Sequence, residues 1–126
     1  MVLVFGGAYQ GKLGYALERF ALLDEDVFRC SEDGVGLPEG KKIIYEIDRW
    51  VLALVKAGVD TDEAVRQFIG GNGDSVVICN DISCGVVPAD PTLRKWREAV
   101  GRALAALGSA SDEVVRLFCG IPTKVK

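Results

Sequence analysis

The stretch VLVFGGAYQGKLGYA, residues 2–16, decides the fold. It opens on a continuous apolar run with β-branched residues, the pattern of a strand buried on both faces, and Gly6 and Gly7 end that run. From about Gly11 a helix is expected, with Leu13, Ala16, Leu17, Phe20 and Ala21 on one face and Glu18 and Arg19 on the other. Strand, glycine turn, lysine and helix in that order are the layout of a phosphate-binding loop. Gly6, Gly7, Ala8, Tyr9, Gln10, Gly11 and Lys12 meet its spacing of glycine, four residues, glycine and lysine. Glycines let successive backbone N–H groups turn inward, and the helix N-terminus behind them adds partial positive charge. Lys12 supplies a point charge for the β and γ phosphates. The next position, where such loops carry a Ser or Thr hydroxyl for Mg²⁺, is Leu13, which continues the apolar face of the helix. Mg²⁺ would then depend on water and a carboxylate.

Outward from this stretch, strands and helices alternate. Residues 23–42 hold three glycines, a proline and six carboxylates and read as loop, with a short extended piece at VFRC, 27–30. KKIIYEI, 41–47, is a second core strand, and Asp48 is placed to cap a helix running to Gly58. Asp60 and Glu63 have capping-box spacing before a helix ending at Gly70-Gly71. DSVVICN, 74–80, is a third strand, followed by a loop containing Pro88. Pro91 then opens a long amphipathic helix, striped by Leu93, Trp96, Val100, Ala103, Leu104 and Leu107. DEVVRLFCG and TKVK, joined through GIP, predict a C-terminal edge hairpin. The expected fold is α/β and P-loop NTPase-like: one domain over residues 1–126, with a mostly parallel sheet flanked by helices. Ligands of such sheets bind beyond the carboxyl ends of the strands.

Composition narrows the function. The 126 residues carry a net charge of −3, which argues against nucleic acid as a partner. No apolar run has bilayer-spanning length and no basic segment precedes the first strand, so the reading is cytoplasmic without membrane insertion. Cys30, Cys79, Cys84 and Cys119 form no CxxC pair and the sequence has no histidine, so a metal cluster is not expected. Cys79 and Cys119, each ending an apolar run, read as small buried hydrophobes.

Phosphoryl chemistry also needs an acid. Glu46, ending the second strand, stands where a Walker-B-type carboxylate would, and Asp48 follows on the next turn; either can hold Mg²⁺ or take a hydroxyl proton, and Asp48 can equally be a helix cap. Asn80 and Asp81 form another polar strand end, or a turn. Arg94, Lys95, Arg97 and Arg102 read as a solvated helix face, and Trp50 and Trp96 as core.

Residues 76–126 resemble the bifunctional adenosylcobinamide kinase / adenosylcobinamide-phosphate guanylyltransferase family of cobalamin biosynthesis. The matching features are Asn80 with its acidic neighbour, Gly85 followed by VVP, the arginine-bearing helix with Trp96, Gly101-Arg102, DEVV and the terminal GIPTKVK. VFGGAYQGKLGYA resembles the family's phosphate loop, and IIYEIDRWVLALV more weakly its second core strand and helix. The resemblance implies GTP or ATP as phosphoryl donor, a corrinoid substrate and a homo-oligomer, trimeric in particular. It also implies two reactions in the full enzyme, phosphorylation of adenosylcobinamide and guanylylation through a nucleotidyl-histidine. The second is excluded by the missing histidine, and a non-catalytic nucleotide-binding subunit or regulator is the alternative. Tyr45 falls where the family's strand-end acid is expected, with Glu46 one place later.

Overall fold

The computed structural model describes residues 1–37, 41–82 and 89–126. In chain order these form β1 (Val2–Gly6), α1 (Lys12–Arg19), a 3₁₀ turn (Asp24–Asp26), β2 (Val27–Arg29), β3 (Ile43–Tyr45) and α2 (Ile47–Lys56). Then come α3 (Thr61–Gly71), β4 (Val76–Asn80), α4 (Pro91–Ala110), β5 (Glu113–Phe118) and β6 (Ile121–Lys124). One six-stranded sheet has the order β2-β3-β4-β1-β5-β6, parallel except for the antiparallel β5–β6 hairpin. β1 therefore lies between β4 and β5, and the order reverses around it. That reversal opens a crevice at the carboxyl ends of the strands. Among the described residues no helix is long and apolar enough to cross a membrane.

Period-two alternation distributes the strand side chains between two cores. Leu3, Ile44, Val77, Cys79 and Val114 pack on one face against Trp50, Val51 and Leu54 of α2, Val65 and Phe68 of α3, and Val100, Ala103 and Leu107 of α4. Val4, Ile43, Val76, Ile78, Val115 and Leu117 face the other way, toward Ala16, Leu13, Leu17 and Phe20. Each buried aliphatic side chain contributes about 1.5–3 kcal/mol of transfer free energy, so the two cores together hold the sheet rigid behind the crevice. Both tryptophans belong to this framework, as their helical positions predict. Trp50 is buried beside Phe68, with ring centroids 5.7 Å apart, and its indole N–H donates to the Val35 carbonyl at 2.8 Å.

Several sequence expectations need correcting. Ala21 leaves the apolar face of α1: the helix ends at Arg19, and Ala21 is exposed with φ 52°, turning the chain back so that Leu22 N–H reaches the Leu17 carbonyl. Asp48 does not cap α2. Glu46 occupies the N-cap in left-handed conformation, and Asp48 lies inside the first turn, buried. Only half of the capping box forms at α3, because Asp60 accepts from Glu63 N–H while the Glu63 carboxylate pairs with Arg66. Leu93 is exposed, so the buried stripe of α4 begins further along. Arg102 reaches Asp62 at 3.0 Å, and Arg94 and Lys95 face solvent.

The hairpin turn is Cys119-Gly120, with Ile121 and Pro122 already in β6. Both turn residues have positive φ, 51° and 74°, the combination that matches the twist of the flanking strands. Cys119 is consequently exposed, whereas Cys79 is buried as expected. Pro122 gives the outer edge no N–H there, which blunts β6 against strand addition. Cys84, Gly85, Pro88 and the VVP tripeptide lie outside the described residues.

Candidate functional site

One wall of the crevice is a continuous piece of chain. β1 runs into Gly6 so close to β5 that a side-chain carbon there would collide with the Leu117 carbonyl oxygen. Glycine at this position is a packing requirement. Beyond it, Tyr9 and Gly11 take positive φ, 61° and 82°, bending the loop back before α1 starts at Lys12. Gly11 is the N-cap and has no side chain to satisfy the first-turn N–H groups, which are left to a ligand or water. Tyr9 stands at the apex, fully exposed. Gln10 points elsewhere, its side-chain oxygen accepting from Cys119 N–H and tying the loop to the β5–β6 turn.

Lys12 is only 4 % exposed, and its ammonium donates to the Gly7 carbonyl inside the loop. Burial lowers its pKa, against the opposing fields of Asp48, Cys79 and Glu46. A desolvated ammonium held in a glycine loop at a helix N-terminus is a strong anchor for an anion.

The other wall is assembled from distant segments. Glu46 turns the chain from β3 into α2 with φ 59°, and its carboxylate lies 3.6 Å from Arg49, which also approaches Glu32 at 3.8 Å. Asn80 ends β4, opposite Gly6 in the β1 register, and Asp81 N–H closes on the Gly6 carbonyl at 2.8 Å. Beneath them Asp48, 2 % exposed, accepts from Asn80 N–H at 3.0 Å and from the Asn80 side-chain amide at 3.3 Å. Its own carbonyl accepts the Trp96 indole N–H at 2.8 Å, so α2, β4 and α4 meet at this residue. Burial raises the Asp48 pKa, and the Asn80 donors pull it partly back. Burial also pushes the Cys79 thiol up and the Cys30 thiol to about 12, which leaves both unreactive.

Between the walls is a cavity of about 510 Å³. Ala8, Tyr9, Gln10, Gly11, Lys12 and Leu13 line one side, and Tyr45, Glu46, Arg49 and Asn80 the other. The sequence candidates thus converge, with Gly6 and Gly7 behind the loop and Asp48 below the floor. Arg49 was not anticipated, although it had a signal in its spacing, three residues after Glu46 on a helix; Tyr45, read in the sequence at the strand-end position, lines the cavity beside Glu46. Among the described residues no group of three or more His, Cys, Asp or Glu gathers to cage a metal. The hard oxygens of Glu46 and Asn80 nevertheless fit a magnesium ion carried on phosphates, directly or through the waters that such an ion keeps, while Leu13 offers none.

The sequence profile of the family described as "Cobinamide kinase / cobinamide phosphate guanyltransferase" matches residues 42–125, from just before β3 to just past β6. The "Bifunctional adenosylcobalamin biosynthesis protein CobU" of Salmonella typhimurium (strain LT2) is 35 % identical over 51 residues, a match covering 40 % of this chain and 28 % of that protein. The aligned part is well under two thirds of that relative's length.

Proposed function

The chain belongs to the cobinamide kinase / cobinamide phosphate guanyltransferase family, and on that premise we propose that it binds GTP or ATP with the phosphates on the loop of residues 6–13. The observation that carries the reading is the buried Lys12 ammonium, held inside a glycine loop at the start of α1 and facing the cavity. Lys12 neutralises the β and γ phosphates, and the uncapped first-turn N–H groups of α1 position them. Mg²⁺ held at the Glu46 and Asn80 end of the cavity would supply positive charge to offset what develops on the phosphates. In the kinase reaction the aminopropanol hydroxyl oxygen of adenosylcobinamide forms a bond to the γ phosphorus as the bond to the β–γ bridging oxygen breaks. Nucleoside diphosphate leaves, and Glu46 receives the hydroxyl proton. Guanylyl transfer through a histidine of this chain has no residue to carry it.

Calorimetric titration of GTP and ATP, each with and without Mg²⁺, into wild type and Lys12→Ala tests the reading. Saturable binding weakened at least about tenfold by the substitution is expected, since a charge-assisted contact is lost. Wild type that binds neither nucleotide refutes it. Formation of adenosylcobinamide phosphate, lost in Lys12→Ala, tests the kinase step.

Leu13 and the absent histidine favour a second reading, a nucleotide-binding subunit or regulator in corrinoid metabolism without turnover. Binding without product supports it. In both readings the protein is a single domain working as a cytoplasmic homo-oligomer. Self-association is supported by the exposed apolar side chains of Phe118, Ile121 and Val125 beside β6, and sedimentation equilibrium measures it.

A further inference from the structure

We propose that Asp48 is a positioning residue: its buried carboxylate takes the Asn80 amide N–H group and thereby turns the Asn80 side-chain oxygen toward the cavity, as the acceptor for water on a phosphate-bound divalent cation. The inference rests on the phosphate-loop reading above and assigns one oxygen to it. A carboxylate can only accept, so the end of the Asn80 amide that faces Asp48 must be the NH₂. The amide oxygen is at the opposite end from that NH₂, and Asn80 is one of the residues that line the cavity. The Asn80 backbone N–H on the second Asp48 oxygen removes the remaining freedom, and Trp96 clamps the Asp48 backbone from α4. An acceptor at this place repels phosphate oxygens and suits a donor. Bound water on Mg²⁺ is that donor, and Leu13 leaves the ion short of the usual hydroxyl. Asp48 itself is too buried to touch the ion.

Simple electrostatics predicts the opposite sign for one substitution, which makes the proposal easy to break. Asp48→Asn removes a negative charge near Lys12, and on charge alone it should tighten binding of an anionic nucleotide. In the positioning account the new amide keeps its oxygen on Asn80 N–H and offers its NH₂ to the Asn80 oxygen. The Asn80 amide then flips and presents a donor to the ion's waters. Affinity for the magnesium–nucleotide complex should fall about tenfold, with no loss when Mg²⁺ is replaced by a chelator. The exchange variant Asp48→Asn/Asn80→Asp restores an acceptor: Asp at position 80 accepts from the new amide with one oxygen and gives the other to the cavity. Its magnesium–nucleotide affinity should return to within about threefold of wild type.

Calorimetry on wild type, Lys12→Ala, both variants above and Asn80→Ala, with melting temperatures recorded alongside, decides the matter. Wild type that fails to bind, or a Lys12→Ala variant that binds as wild type does, removes the phosphate-loop reading and this inference with it. Retained Lys12 dependence together with an Asp48→Asn variant that binds as well as wild type or better overturns the positioning role alone. So does an exchange variant that folds and stays as weak as Asp48→Asn. Should Asp48→Asn not fold, Asn80→Ala carries the test: it should lose the Mg²⁺-dependent part of the affinity, and unchanged Mg²⁺ dependence overturns the proposal.

Discussion

The two walls of the cavity are built on different principles. The loop wall is consecutive chain, shaped by its own backbone between β1 and α1, and its one buried charge, Lys12, is bonded within the loop to Gly7. The strand-end wall is a tertiary assembly in which Glu46 and Asp48 come from the start of α2, Asn80 comes from the end of β4, and Trp96 reaches in from α4 as a third segment. A local motif can be placed by spacing alone, whereas an assembled wall exists only once the sheet and helices have packed. The first is robust to changes elsewhere, and the second is where substitutions should interact.

The largest effect expected is nevertheless in the loop wall, where it touches the sheet. Gly6→Ala places a carbon against the Leu117 carbonyl, a backbone group that cannot rotate away. β1 must then separate from β5, and a loss of about 3 kcal/mol or more is expected in urea unfolding. Gly11→Ala makes the sharper comparison. Nothing lies within 4 Å of the added carbon, so its cost is the left-handed backbone alone, about 1 kcal/mol. Equal losses at the two positions would mean that the fold tolerates the Gly6 collision and that the loop wall is softer than its geometry indicates.

An intermediate effect is expected from pH on the assembled wall. The folded-state pKa of Asp48 lies above its ordinary 3.8, because burial costs the anion more than the Asn80 donors return. Between those two values the folded chain keeps a proton that the unfolded chain has released, so stability falls as pH rises through the window. Asp48→Asn lacks that titration while Lys12 and Glu46, the charged neighbours, remain. The melting temperature of Asp48→Asn minus that of wild type should therefore climb as pH rises from the ordinary carboxyl value through the raised one, and level off above it. A difference that shrinks as pH rises would show that the carboxylate is stabilising as an anion, and the wall would then be held by charge.

This contrast also explains what was legible. The strand, loop and helix of residues 2–19 follow from apolar periodicity and glycine spacing, because nothing distant is needed to define them. Asp48 misled for a physical reason: an Asp just ahead of an apolar run is a common cap, yet Glu46 takes the cap position in a left-handed conformation that its side chain does not advertise. Asn80 was visible as a polar strand end, but its partner sits 32 positions away and becomes its neighbour only through the placement of α2 on the sheet. The Cys119-Gly120 turn was missed because cysteine is a poor marker of positive φ, and Pro122 drew the expected connection onto residues 120–122, where Ile121 and Pro122 already belong to β6.

That turn supplies the smallest prediction and the link between the two kinds of construction. Cys119 holds φ 51° without the advantage of glycine or asparagine, while its N–H donates to the Gln10 side chain in the glycine loop. Cys119→Asn keeps that N–H and supplies a residue suited to a two-residue hairpin turn, so a gain of about 0.5–1 kcal/mol is expected in urea unfolding. Gln10→Ala removes the acceptor and should cost about 1 kcal/mol in the Cys119→Asn background as in wild type. Additive effects mean that the hairpin supports the loop wall from outside and leaves its shape to the loop's own backbone. A Gln10 penalty that disappears in the Cys119→Asn background would mean that the turn and the loop settle their geometry together, and the loop would then be as much a tertiary product as the wall opposite.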